Sequence, residues 1–270
     1  MQVTVAKTAG FCFGVRRALE LTQKSAALSP TCTLGELIHN RQVVEELAGQ
    51  GVTVIERPKD APAGTAVVIR SHGVGPQVYD TLRAQGSPVI DATCPFVKRI
   101  HQIAAEVPEN GLLLLAGRRE HPEVQGILGY CRGPALVFSS AEEMQELLAF
   151  LPSDGNIPVI LAAQTTFSLR EWEKILFFAK KVCTNLKVFD TICRATIERQ
   201  SEAKQLAQSA DAMVVVGGLH SANTTALAAL CGSYCPTVQV ETADQLERHR
   251  EALRGARFIG ITAGASTPAC

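Results

Sequence analysis

The sequence predicts an α/β protein of three pseudo-repeated units, with mainly parallel sheets around a central cavity. Three observations carry that prediction. Apolar runs of strand length alternate with helical patterns along the whole chain. One short frame centred on a cysteine occurs three times, and two polar clusters follow that cysteine at matched distances each time. The chain has 270 residues and is 46% hydrophobic, enough to bury a substantial core.

Strand-like runs are Ala66–Ile69, Val159–Ala163, Ala212–Val216 and residues 258–262; helical patterns cover residues 42–49, 169–181 and 199–208. Alternation of this kind argues for parallel sheets with crossover helices. The repeated frames are Gly10-Phe-Cys12-Phe-Gly-Val-Arg-Arg, Ala92-Thr-Cys94-Pro-Phe-Val-Lys-Arg and Thr191-Ile-Cys193-Arg-Ala-Thr-Ile-Glu-Arg. Each follows a short strand, at residues 3–6, 88–90 and 187–189, and each precedes a helix with basic residues in its first turns. The first polar cluster lies 27, 27 and 28 residues past the cysteine, at His39-Asn40, His121-Pro122-Glu123 and Ser221-Ala222-Asn223. A glycine stands four residues before each, at Gly35, Gly117 and Gly217. The second cluster is Ser71-His72-Gly73, Gln164-Thr165-Thr166 and Ala265-Ser266-Thr267. Repetition at fixed spacing divides the chain into residues 14–95, 96–192, and 193–270 with 1–13. A closing helix follows the second cluster in the first two units, at residues 75–84 and 167–181, but none is legible after Ser266. The N-terminal strand is expected to complete the third sheet.

Ligands of open α/β sheets sit beyond the carboxyl ends of the strands, where helix N-termini present unpaired N–H groups that suit anions. The arrangement therefore aims three thiols and six polar clusters at one cavity. Formal net charge is zero and no Lys/Arg run stands out, which gives no electrostatic footprint for nucleic acid. No run is long enough to span a membrane, and residues 1–9 do not read as a signal peptide, so the expected location is cytoplasmic. In such a setting nine cysteines do not imply a disulfide framework.

Three cysteines separated by 82 and 99 residues are unlike a structural zinc site with short Cys-x-x-Cys spacing. They form a soft-ligand set, fitting zinc or an iron–sulfur cluster, with a metal position left open. His39, His72, Ser221, Asn223 and Ser266 are donors suited to phosphate oxygens, and the chain has no Gly-x-x-x-x-Gly-Lys-Ser/Thr loop. Glu123 is the one carboxylate within the six clusters and the natural proton donor, with His121 and Thr165 placed to hold a reacting oxygen. Plainer roles compete. Isolated histidines, serines and threonines at strand ends are commonly helix caps, Glu123 suits a first helical turn, and a cysteine is commonly a small buried apolar residue. Cys32, Cys183 and Cys270 read as structural or incidental. Cys131 and Cys231 read as core on helices, Cys231 and Cys235 as a helix-face pair, and His101 as a helix-surface residue.

At these residues the chain resembles the LytB family, the 4-hydroxy-3-methylbut-2-enyl diphosphate reductases of the non-mevalonate isoprenoid pathway. The motifs are Ala9-Gly-Phe-Cys-Phe-Gly-Val-Arg-Arg-Ala18, Ile38-His-Asn40, Ser71-His-Gly-Val74, Asp91-Ala-Thr-Cys-Pro95, His121-Pro-Glu-Val124, Gln164-Thr-Thr166, Asp190-Thr-Ile-Cys193 with Ala195-Thr196 and Arg199-Gln200, Asn223-Thr224 and Ala265-Ser-Thr-Pro268. The resemblance implies a [4Fe-4S] cluster on Cys12, Cys94 and Cys193, and diphosphate binding by His39, His72, Ser221, Asn223 and Ser266. It implies a substrate hydroxyl near His121, Glu123 and Thr165, and electrons from reduced ferredoxin or flavodoxin. Thr166 and Ala222 fall within the same substrate-binding clusters. Ala222 stands where the family usually has a second serine, and His220 where it often has asparagine. The competing functions are a redox sensor with a labile cluster, a zinc-dependent hydrolase on the same thiolates, and a cluster-less paralogue.

Overall fold

The computed structural model describes residues 1–149, 157–183 and 185–268; Cys270 lies outside them. The described strands form three four-stranded sheets, and every pairing is parallel. The first sheet has the order β3-β2-β4-β5, from Thr53–Ile55, Thr31–Leu34, Ala66–Ile69 and Val89–Asp91. The second has the order β7-β6-β8-β9, from Ala135–Phe138, Leu112–Ala116, Val159–Ala163 and Leu186–Val188. The third has the order β1-β12-β10-β11, from Gln2–Val5, Phe258–Ala263, Ala212–Val216 and Thr237–Val240. The N-terminal strand thus completes the third sheet, pairing Gln2 with Phe258 and Val5 with Ile261. The helices are α1 Phe13–Ala26, α2 Arg41–Gly49, α3 Pro76–Ala84, α4 Pro95–Ala105, α5 Pro122–Leu128, α6 Ala141–Ala149, α7 Leu169–Val182, α8 Arg194–Ser209 and α9 Ala222–Gly232.

The central strands β4, β6 and β8 are buried along their whole length, as expected of parallel strands covered on both faces. Around β6 and β8, Leu113, Leu115, Ile160 and Ala162 pack against Ile100, Ile103 and Ala104 of α4 and Val124 and Ile127 of α5. In the third sheet Met213 and Val215 of β10 meet Ala203 and Ala207 of α8 and Leu227 and Cys231 of α9. Alanines on α8 let that helix lie close to the strands.

The repeat extends to single hydrogen bonds. The N–H of Gly35, Gly117 and Gly217 donates to Ile55, Phe138 and Val240 at 2.7, 2.8 and 2.8 Å, closing the end of β3, β7 and β11 in turn. A Cβ at any of the three would collide: with Arg70 at Gly35, with Val124 Cγ2 at 2.9 Å at Gly117, and with Thr267 Oγ1 at 2.5 Å at Gly217. The glycine shared by the three frames is thus a close-approach residue.

Four readings need correction. Strands β3, β7 and β11 were not legible, because they are short edge strands with mixed exposure. His101 is not on a surface; it is 4% exposed and stacks on Tyr130 with ring centroids 4.4 Å apart. Cys131 follows α5 rather than lying within it, and caps the turn by donating to Gly133 O at 3.4 Å. Cys235 lies beyond the end of α9, so it shares no helix face with the fully buried Cys231.

By contacts the chain divides into two compact units. One comprises Met1–Arg17, Ile38–Gln50 and Arg194–Cys270, and the other Ala18–Leu37 and Gly51–Cys193.

Candidate active site

The residues singled out from sequence fall into two sets, one in each compact unit. Cys12, His39, Ser221, Ala222, Asn223 and Ser266 belong to the first; His72, Cys94, His121, Glu123, Thr165, Thr166 and Cys193 belong to the second.

The three thiols share one backbone setting. The N–H of Cys12, Cys94 and Cys193 donates to the carbonyl of Ala265, Ser71 and Thr165 at 3.1, 3.0 and 3.0 Å. Each acceptor belongs to a second polar cluster at a neighbouring strand end, so the fold ties every thiol to a cluster. Local side chains shape the approach. Asp91 accepts from Thr93 N at 2.9 Å just before Cys94, and pairs with Lys98 at 2.6 Å just after it. The buried Thr191 hydroxyl accepts from Ala163 N at 2.8 Å and donates to Ala163 O at 2.7 Å, extending the ladder of β8 toward Cys193. Cys12, Cys94 and Cys193 are all half-buried, whereas Cys32 and Cys231 are fully enclosed and burial pushes the Cys231 thiol up to about 12.

In the second unit Glu123 is 2% exposed, in the first turn of α5. Its Oε1 accepts from Thr165 N and its Oε2 from Thr165 Oγ1, both at 2.7 Å. Burial drives the carboxyl up to about 7 against the opposing pull of those two bonds. A group that gains and loses its proton near neutrality suits general acid work. His121 caps α5 through Nδ1, which accepts from Glu123 N at 3.1 Å, and this leaves the ring proton on Nε2. The rings of His72 and His121 meet edge to face with centroids 5.3 Å apart. Thr165 does not cap α7, since Ser168 does. Gln164 is 2% exposed; it accepts from Arg118 N at 3.3 Å and donates to Thr166 Oγ1 at 3.0 Å, tying its own cluster to the loop before His121.

His101 lies directly behind this group. Its ring packs beneath the His72-Gly73 turn and beside Gly126 of α5, and burial lowers it to about 4, so it is neutral. Gly73 has φ +71, and a Cβ there would stand 2.5 Å from His101 Cε1 and 2.9 Å from Thr93 Cγ2. Gly73→Ala is therefore expected to destabilise the protein by about 2–4 kcal/mol, read as a lowered denaturation midpoint. Adding His101→Ala should recover part of that loss, whereas simple additivity would remove the steric explanation.

In the first unit Ser221 caps α9, accepting from Thr224 N at 3.4 Å while keeping its own proton to donate. Asn223 is 4% exposed, and neither its amide nitrogen nor its oxygen has a partner among the described residues. A buried primary amide left open on both sides is costly unless a ligand completes it. Ser266 Oγ donates to His39 O at 3.3 Å, and a Cβ on Gly218 would lie 2.8 Å from that same oxygen. Gly218 and Leu219 are held in turn by Gln239 of the adjacent edge strand β11 and by Glu241 just after it. His39, the loop before α9 and Ser266 thus form one assembly around the α9 N-terminus, which suits an anion. His220 is exposed at its margin. Neither the donor Gln239 and acceptor Glu241 nor the Thr191 bridge was foreseen; their only signal is position at strand ends.

Among the described residues no helix is long and apolar enough to cross a membrane. Three small parallel sheets, each tying a thiol to its strand-end clusters, define a class of α/β protein with a repeated scaffold and unequal chemistry on each repeat. Within that class the chain belongs to the LytB protein family, whose model matches residues 3–270. A 4-hydroxy-3-methylbut-2-enyl diphosphate reductase of Caldanaerobacter subterraneus subsp. tengcongensis is 41% identical, covering 99% of this chain and 93% of that protein. The protein of the same name from Geobacter sulfurreducens is 42% identical over the same shares. Among solved structures, the E-1-hydroxy-2-methyl-but-2-enyl-4-diphosphate reductase of Plasmodium falciparum matches with TM-score 0.91 at 26% identity, covering 99% of this chain and 84% of that one. A structure of (E)-4-hydroxy-3-methyl-but-2-enyl diphosphate reductase matches with TM-score 0.69 at 38% identity, covering 99% and 95%.

Proposed function

We propose that this protein is a 4-hydroxy-3-methylbut-2-enyl diphosphate reductase. It is an oxidoreductase that removes the allylic hydroxyl with two electrons and two protons, giving isopentenyl and dimethylallyl diphosphates. The observation that carries the reading is Glu123: a carboxyl enclosed at 2% exposure, bonded to Thr165 through both oxygens, with its proton poised near pH 7.

His39, Ser221, Asn223 and Ser266 bind the diphosphate, with Asn223 donating its open amide to a phosphate oxygen. Ala222 contributes its first-turn N–H in place of a hydroxyl, and His72 completes the anion contacts. Glu123 supplies the proton that leaves with the hydroxyl. When protonated it donates to Thr165 Oγ1, which frees the threonine proton for the substrate oxygen, and His121 and Thr166 orient that end. Three thiolates in equivalent settings, without short-spaced partners, fit a [4Fe-4S] cluster better than a structural zinc ion. Cys12, Cys94 and Cys193 would hold it, following β1, β5 and β9, one strand from each of the three sheets. Such a cluster supplies electrons and a Lewis-acidic iron. A reduced ferredoxin or flavodoxin delivers the electrons, and the protein works in the cytoplasm.

Anaerobic purification with iron and sulfide analysis tests this reading. About four irons per chain, lost in Cys94→Ala, together with substrate turnover under an artificial reductant, are expected. One zinc per chain in place of iron and sulfide, lost in Cys94→Ala, would send the reading to a hydrolase instead.

A further inference from the structure

We infer that Arg199 and Glu202 are positioning residues that set the approach of the chain to Cys12, an inference that rests on Cys12 being a ligand as proposed above. The two side chains stand three residues apart on α8, hence on one helical face. Between them they grip a single short loop. Arg199 is 3% exposed; its Nη2 donates to Thr8 O and to Gly10 O, each at 2.6 Å, and its Nε donates to Thr8 O at 3.1 Å. Glu202 accepts from Lys7 N at 2.8 Å, from Thr8 N at 2.8 Å and from Thr8 Oγ1 at 2.6 Å. The guanidinium takes the loop's carbonyls and the carboxylate takes its amides.

Two features separate this from an ordinary surface ion pair. Both residues direct most of these hydrogen bonds to backbone groups about 190 residues away in sequence, so they fix the path of the chain and not merely the Thr8 side chain. The loop they fix ends at Cys12, whose own N–H donates to Ala265 O. Helix α8 starts at Arg194, immediately after Cys193. The helix that begins at one thiol therefore holds the loop that delivers another, and charge-assisted bonds of this length are among the stiffest available for the task.

The test uses the full chain under argon, first as isolated and then after iron removal by a chelator. Thiol alkylation is followed site by site by peptide mass spectrometry. Arg199→Gln is expected to raise the alkylation rate of Cys12 by about tenfold relative to Cys94 and Cys193, as local opening of one loop should. It should also speed chelator-driven iron loss. Arg199→Lys, which keeps the charge but not the fork, should fall between Arg199→Gln and the parent. Glu202→Gln and Thr8→Val provide the same selective signature should Arg199→Gln fail to fold. Equal acceleration at all three cysteines, or none at Cys12, would overturn the inference. Retention of the full iron content by Cys12→Ala would instead overturn the ligand reading and leave the loop-holding role intact.

Discussion

Glu123→Gln is expected to lower kcat by about 10²- to 10⁴-fold, the usual worth of a positioned general acid. Glutamine keeps the shape of the site: its oxygen still accepts from Thr165 N and its amide donates to Thr165 Oγ1, so substrate binding should change little. The pH profile is the sharper reading. The parent carboxyl titrates at about 7, so its kcat/KM should fall as pH rises through that value, while the variant's residual rate should lack that step. Stability moves the opposite way. The folded protein raises this group from 4.5 to about 7, so it holds a proton that the unfolded chain releases within that interval. The resulting stabilisation is complete below about 4.5 and is lost as pH rises through about 7. Relative to a neutral side chain, the ionised Glu123 then costs roughly 3 kcal/mol above that pH. Glu123→Gln should therefore melt higher than the parent at pH 8 and close to it at pH 4. An inactive variant that is also less stable at pH 8 would mean that the carboxylate is structural.

Asn223→Asp is expected to raise KM for the diphosphate by about 10²- to 10³-fold, with a smaller change in kcat. The exchange is nearly isosteric, so packing against α9 is kept. It turns an amide that can donate into a carboxylate that can only accept, at a position 4% exposed with no donor beside it among the described residues. On the proposed reading, a phosphate oxygen would then meet a like charge instead of an N–H. Asn223→Ala, which removes the donor without adding charge, should cost several-fold less. Equal effects from the two would indicate that Asn223 acts by filling space. Isothermal titration with inorganic pyrophosphate checks the ranking without turnover.

Much of the scaffold was legible because its interior strands are uninterrupted apolar runs. Ala66–Ile69, Val159–Ala163 and Ala212–Val216 have the same bounds in sequence and structure, since strands buried on both faces carry no alternation to confuse. The edge strands Thr53–Ile55, Ala135–Phe138 and Thr237–Val240 carry short, half-exposed sequences whose identity comes from pairing with β2, β6 and β10. Helix α8 begins at Arg194, five residues before its expected start, because its buried face is made of alanine and polar residues rather than a leucine stripe. In the site, residue types at matched strand ends revealed the clusters. Their supports stayed hidden wherever the partner is a backbone group distant in sequence. His101 reads as a surface residue until Gly73 and Gly126 are placed against its ring, and nothing in the sequence sets Arg199 against Thr8 and Gly10.

The third sheet has a consequence for the order of folding. Its edge strand β1 pairs with β12 from roughly 250 residues further along the chain. Pairings between segments so far apart close late, because the entropy of a long loop is lost before the contacts reward it. Until they close, the loop to Cys12 lacks both α8 and the Ala265 carbonyl that later fix it. Cys94 depends on a nearer partner, since its N–H donates to Ser71 O. During refolding from denaturant, pulsed alkylation should therefore label Cys12 for longer than Cys94, and equal labelling would mean that the third sheet closes together with the first.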